Sequence, residues 1–147
     1  YINRKLQDTA EKYGKELLNY FKYVGVLVIE FFVSKDGKLV ANEMAPRVHN
    51  SGHWSIEGSS KSQFELHVRA ITEDLENKPI EFMPSVMLNI LSKYPDDNLL
   101  SGLDSHYLHS YDKEERNLRK LGHITITKSS SEQLQPILPE FLKLLND

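Results

Sequence analysis

The sequence predicts an α+β fold with antiparallel strands, on three observations. Two apolar runs flank Asp36-Gly37, a turn sequence. Predicted elements run helix–strand–strand–loop–helix and then strand–strand–strand–helix, which argues against a parallel doubly wound sheet. A stretch rich in Pro, Gly, Asn and Ser, residues 45–61, follows the first strand pair. The 147 residues suffice for one ordinary domain or two small ones, and 39% hydrophobic with 27% charged residues is a globular composition. A net charge of −3 gives no basic footprint for nucleic acid. No apolar run reaches the roughly 18–20 residues of a membrane span. Neither nucleic acid nor a membrane is therefore expected as a partner. The absence of Cys excludes disulfides, Cys-ligated metal and thiol catalysis, and suits a reducing cytoplasm. The chain begins at Tyr1 without a signal-peptide pattern and is read as a piece of a longer protein.

Residues 3–22 are predicted helical, because Leu6, Ala10, Tyr13, Leu17 and Phe21 form one stripe. Val24 to Val33, rich in β-branched and aromatic residues, is predicted as a strand, and Leu39 to Met44 as its return. A helix is expected from Ser62 to Leu75, with Phe64, Val68, Ile71 and Leu75 on one face; Asn77-Lys78-Pro79 ends it and marks a boundary. Strands are expected at 85–91, 106–111 and 121–127, and a last helix at 131–145, while 92–105 reads as loop or short helix. His67 reads as a packed, hydrogen-bonded histidine.

If Asp36-Gly37 is a two-residue turn, Lys35 faces Lys38, Val33 faces Val40, and Glu30 faces Glu43. Like charges at opposed positions destabilise a sheet. A divalent cation such as Mg²⁺ would compensate, since it is held by one or two carboxylates plus phosphates. The alternative is a solvent-facing pair or a register slipped by one. The adjoining Ala45 to Trp54 loop brings Arg47, His49, Asn50 and His53 close in sequence to these carboxylates. Arg suits bidentate phosphate binding, and a metal–Arg–His cluster fits phosphoryl transfer. An ordinary surface loop is the competing reading. Zinc on His49 and His53 would need a helix, against Pro46, Asn50 and Gly52. The cationic cluster Lys113, Arg116, Arg119 and Lys120 reads either as a phosphomonoester clamp or as a solvated hairpin tip diluted by Glu114 and Glu115.

The run from Asn42 to Trp54, with Ser62-Gln63-Phe64-Glu65, Val86 to Asn89 and Tyr111 to His123, resembles the ATP-grasp 5-(carboxyamino)imidazole ribonucleotide synthase family (PurK). The resemblance covers nearly the whole chain. It implies that residues 1–78 are the C-terminal part of an ATP-grasp domain and that 79–147 are a small, β-rich C-terminal domain. It implies ATP-dependent carboxylation of aminoimidazole ribonucleotide by bicarbonate, through carboxyphosphate, in purine biosynthesis. By resemblance, Glu30 and Glu43 hold Mg²⁺ or Mn²⁺, and Asn42 and Glu43 contact ATP. Arg47, His49 and Asn50 line the carboxyphosphate site as the catalytic group. Lys113, Arg116, Arg119 and Lys120 hold the ribonucleotide phosphate. A cytoplasmic homodimer is implied, and the 147-residue chain alone is expected to be inactive.

Two departures matter. Many ATP-grasp enzymes carry a further ligand, an Asn, two residues after the second Glu, where this chain has Ala45. The family commonly has Pro-Gly between the two arginines, where this chain has Asn117-Leu118. Competing expectations are another ATP-grasp ligase or transferase on a small ribonucleotide, and a catalytically silent scaffold of the same descent.

Overall fold

The side-chain oxygen of Asn3 accepts the Lys5 N–H at 3.0 Å and starts helix α1, Arg4–Phe21. The helix stops at Lys22, whose φ of 49° is left-handed. There the Lys22 and Tyr23 N–H groups bond back to the Asn19 and Leu18 carbonyls. The computed structural model describes residues 3–74, 76, 78–96, 100 and 106–139. The chain forms two compact units, one of Tyr1–Gly52 with Gln63–Lys78, the other of His53–Ser62 with Pro79–Asp147.

In the first unit α1 packs on an antiparallel hairpin of β1, Val28–Val33, and β2, Leu39–Ala45. The Tyr13 and Phe31 rings lie 6.1 Å apart, beside an apolar groove of about 550 Å³ lined by Tyr13, Leu17, Ile29, Phe31 and Leu39. The strand predicted from Val24 begins only at Val28. The Val26 N–H is given instead to Nδ1 of His67 at 3.0 Å, so His67 is the hydrogen-bonded histidine expected.

The turn differs from the expected two-residue form. Ser34 pairs with Lys38 around a three-residue loop in which Gly37 alone takes a positive φ, 75°. Val33 therefore faces Leu39, not Val40, and Lys35 does not face Lys38. A β-bulge then restores the register: Phe31 pairs with Ala41, Glu30 with Glu43, and Asn42 is the extra residue.

Helix α3, Gln63–Ile71, is shorter than predicted, the chain reversing at Glu73 with φ 57°. Leu75 and Asn77 lie outside the described residues. The expected apolar face of Phe64, Val68 and Ile71 remains largely exposed.

In the second unit the segment expected to be loop carries a short helix, α2, Ser55–Gly58. Strands β3, Ser85–Ser92, β4, His106–Ser110, and β5, Arg116–Thr127, form an antiparallel sheet in the order β3-β5-β4. The last strand starts five residues before the predicted 121. Ser92 pairs with Arg116 and Leu91 with Lys120, so Asn117, Leu118 and Arg119 protrude from the ladder. The core is Leu88, Ile90, Leu100, Leu121, Ile124, Ile126 and Leu134. Helix α4, Ser131–Leu134, opens the predicted 131–145; residues 135–137 form a turn, where Pro136 lacks a backbone donor, and 138–139 are helical again. Residues 97–99 and 101–105 of the segment read as loop or short helix, and 140–147 of the predicted helix, lie outside the described residues. Among the described residues no helix is long and apolar enough to cross a membrane.

Candidate metal and phosphate sites

Strand pairing in the first unit sets Glu30 opposite Glu43. The bulged Asn42 turns its amide toward Glu30 and donates to Oε2 at 3.3 Å. Two positive or polar groups from the following loop approach the same carboxylates. His49 Nε2 lies 3.7 Å from Glu30 Oε1 and 4.0 Å from Glu43 Oε1. An Arg47 guanidinium nitrogen lies 4.0 Å from Glu43 Oε1, while another donates to the Val48 carbonyl at 2.9 Å.

The His49 ring is held from behind. Its Nδ1 lies 2.9 Å from Ser51 Oγ, and its backbone is bracketed by the side chain of Gln63. The His49 N–H donates to Gln63 Oε1 at 3.0 Å, and Gln63 Nε2 donates to the His49 carbonyl at 2.7 Å. Asn50 opens the 3-10 turn Asn50–Gly52 that closes this loop. A Cβ at Gly52 would lie 2.5 Å from Gln63 Oε1, so the bracket needs glycine there. The sequence reading gave Gln63 no role. Its signals were its place in the Ser62-Gln63-Phe64-Glu65 motif and a polar residue near the start of a helix, where exposure is the default expectation.

No group of three or more His, Asp or Glu side chains suited to hold a metal ion occurs among the described residues. The donor set fits a cation that takes two protein carboxylates and completes its shell with phosphate and water, as Mg²⁺ does. It does not fit an ion enclosed by protein, and the zinc pair is not formed: His49 engages the carboxylates, whereas the His53 ring packs against Tyr111 and His123.

In the second unit the cationic residues are divided. Lys113 lies on the β4–β5 connection, with Nζ 5.1 Å from the centroid of Tyr111. Arg116, Arg119 and Lys120 belong to β5 itself and not to the connection, a change from the sequence reading. Glu115, expected to dilute the cluster, accepts the Tyr94 N–H at 2.9 Å. Leu118, where the resembling family has Gly, takes φ 59° and stands 79% exposed.

Beside this cluster lies a group of imidazoles that sequence reasoning missed. His109 and His123 face each other across β4 and β5, stacked at 4.5 Å and 10°. His109 Nε2 lies 2.6 Å from Glu57 Oε1, and His123 Nδ1 lies 2.8 Å from the Tyr111 hydroxyl. His123 is 1% exposed. Burial, reinforced by the neighbouring His109 and His53, pushes its pKa down to about 4, so the ring is neutral near pH 7. Three buried side-chain atoms here have no hydrogen-bond partner among the described residues: Glu57 Oε2, His123 Nε2 and Thr125 Oγ1.

Two family models match the chain, the ATP-grasp domain over residues 1–64 and the phosphoribosylaminoimidazole carboxylase C-terminal domain over 85–136. The N5-carboxyaminoimidazole ribonucleotide synthase of Escherichia coli is 43% identical over 143 residues, which are 97% of this chain and 40% of that protein. The crystal structure of the synthetase from Thermus thermophilus superposes with a TM-score of 0.81 at 38% identity, covering 97% of this chain and 39% of the other. The Aspergillus clavatus enzyme, solved with ADP and 5-aminoimidazole ribonucleotide, gives a TM-score of 0.79 at 31% identity over 97% of this chain and 41% of its own. The chain thus spans about 40% of the length of the curated relatives it matches.

Proposed function

Because the chain belongs to the N5-carboxyaminoimidazole ribonucleotide synthase family of ATP-grasp enzymes, we propose that it carries part of a purine-biosynthetic ligase. That ligase carboxylates aminoimidazole ribonucleotide with bicarbonate, driven by ATP. In this reading residues 1–78 are the C-terminal part of the ATP-grasp domain and 79–147 the β-rich C-terminal domain. A cytoplasmic homodimer is part of the same proposal.

A bicarbonate oxygen attacks the γ-phosphorus of ATP, and the bond to the β-phosphate oxygen breaks to release ADP. The C–O bond of the resulting carboxyphosphate then breaks, giving carbon dioxide and phosphate. The amine nitrogen of the ribonucleotide bonds to that carbon and loses a proton. Glu30 and Glu43 would hold Mg²⁺ or Mn²⁺, which neutralises phosphate charge when bound. Asn42 orients Glu30 and, with Glu43, faces ATP. Arg47 opposes the charge on the transferring phosphoryl group, and His49 and Asn50 line the carboxyphosphate position. Lys113, Arg116, Arg119 and Lys120 hold the 5′-phosphate by charge-assisted bonds.

The observation that carries this reading is the opposition of Glu30 and Glu43, with Arg47 and His49 both about 4.0 Å from Glu43. In the full-length enzyme, ADP release should require bicarbonate and aminoimidazole ribonucleotide together. Glu43→Gln should lower turnover by on the order of 10²–10³ with the fold intact, a loss of the size that follows removal of one preorganised charge-stabilising group. Turnover near that of the parent at ordinary magnesium would refute the metal assignment.

A further inference from the structure

We propose that Tyr111 is a positioning residue: it holds the Lys113 ammonium ready for the ribonucleotide phosphate, and is itself held by the imidazole stack behind it. The inference rests on the reading of Lys113 as a phosphate ligand. It adds a part of the molecule which that reading leaves unused.

Tyr111 is anchored at three points. Its N–H donates to the Leu121 carbonyl at 2.8 Å, its hydroxyl meets His123 Nδ1 at 2.8 Å, and the His53 ring packs edge-on at 6.4 Å. His123 cannot swing away, being buried and stacked on His109, which is tied to Glu57. The next residue, Asp112, takes φ 50° with its N–H on Ser110 Oγ. That reversal brings Lys113 back over the Tyr111 ring, at 5.1 Å.

The arrangement matters because a free lysine is a poor phosphate ligand for entropic reasons. Its four-carbon stem has many rotamers, and binding must select one. An aromatic face beneath the ammonium narrows that choice before the phosphate arrives. The hydrogen bond between the Tyr111 hydroxyl and His123 Nδ1, 2.8 Å, fixes the orientation of the ring that faces Lys113. The buried His123 is in this way connected to a charge at the surface.

The test is equilibrium binding of aminoimidazole ribonucleotide to the full-length enzyme, with ATP binding measured alongside. Tyr111→Phe keeps the ring and loses the hydroxyl; it should weaken ribonucleotide binding by about 3- to 10-fold, the range of one hydrogen bond. Tyr111→Leu removes the face as well and should weaken it further, with ATP binding within about twofold of the parent, since only a contact to the ribonucleotide is lost. In a Lys113→Ala background either substitution should add little, because both act through Lys113. Full additivity in that cycle, or equal weakening of both ligands, would overturn the proposal in favour of a merely structural role. Unchanged ribonucleotide binding in Tyr111→Phe and Tyr111→Leu, with Lys113→Ala impaired, would overturn the positioning role alone. Unchanged binding in Lys113→Ala would overturn the phosphate-ligand reading and this inference with it.

Discussion

The side-chain amide of Gln63 brackets the backbone of His49, accepting from its N–H at 3.0 Å and donating to its carbonyl at 2.7 Å. Residues fourteen apart in the chain are thereby joined as a strand pair would join them, and the loop carrying Arg47, His49 and Asn50 is tied to the start of α3. Gln63 is 7% exposed, so water does not replace either bond. Gln63→Leu should cost about 1–3 kcal/mol, the penalty for leaving a buried amide unpaired. Gly52→Ala should destabilise by the same route, since its Cβ would displace Gln63 Oε1. Denaturant unfolding should show both losses, and they should combine to less than their sum. Faster exchange of the His49 amide in each variant would locate the damage.

Leu118 occupies a backbone conformation suited to glycine, with φ 59°, on a side chain that is 79% exposed and protects nothing. A Cβ in that region costs about 1–2 kcal/mol, partly offset by the unfolded-state freedom that glycine adds. Leu118→Gly should therefore stabilise the chain by about 0.5–1 kcal/mol. Leu118→Ala keeps the Cβ and should gain nothing. The bond from the Leu118 N–H to the Ser92 side-chain Oγ, 2.9 Å, survives in both. A thermal unfolding comparison in which alanine matches glycine would show that the gain has another source.

The neutrality of buried His123 makes stability depend on pH. Its pKa of about 4 lies below the ordinary histidine value of 6.5, so the unfolded chain binds the proton first as pH falls. Stability should be full above pH 6.5, decline between 6.5 and 4, and level off for this group below 4. The loss over that window is on the order of 3 kcal/mol, from 1.36 kcal/mol per unit. Carboxylates also titrate at the acid end, so the comparison is with His123→Gln, whose profile should be flatter between pH 6.5 and 4.5. Parallel profiles for the two proteins would rule out His123 as the titrating group.

Much of the site was legible in the sequence because it lies within short range. Two apolar runs, the first rich in β-branched and aromatic residues, and Asp36-Gly37 called for the hairpin, and the sum of positions set Glu30 against Glu43. Arg47 and His49 follow in the same stretch, too close in sequence to stray far. The route to the pairing was not legible. A three-residue loop shifts the register by one, and the bulge at Asn42 shifts it back. Both depend on how strand twist and side-chain packing settle the backbone, which local propensity does not encode. Tertiary structure alone decided the rest. Gln63 reads as a surface residue until its helix is packed beside the 46–52 loop. His53, Glu57, His109, Tyr111 and His123 are scattered over 71 positions of the sequence and meet only because β4 pairs with β5 and α2 packs on β5. A buried imidazole has no sequence pattern of its own. Its environment is set by neighbours distant in the chain, and only folding brings them within hydrogen-bond and stacking distance.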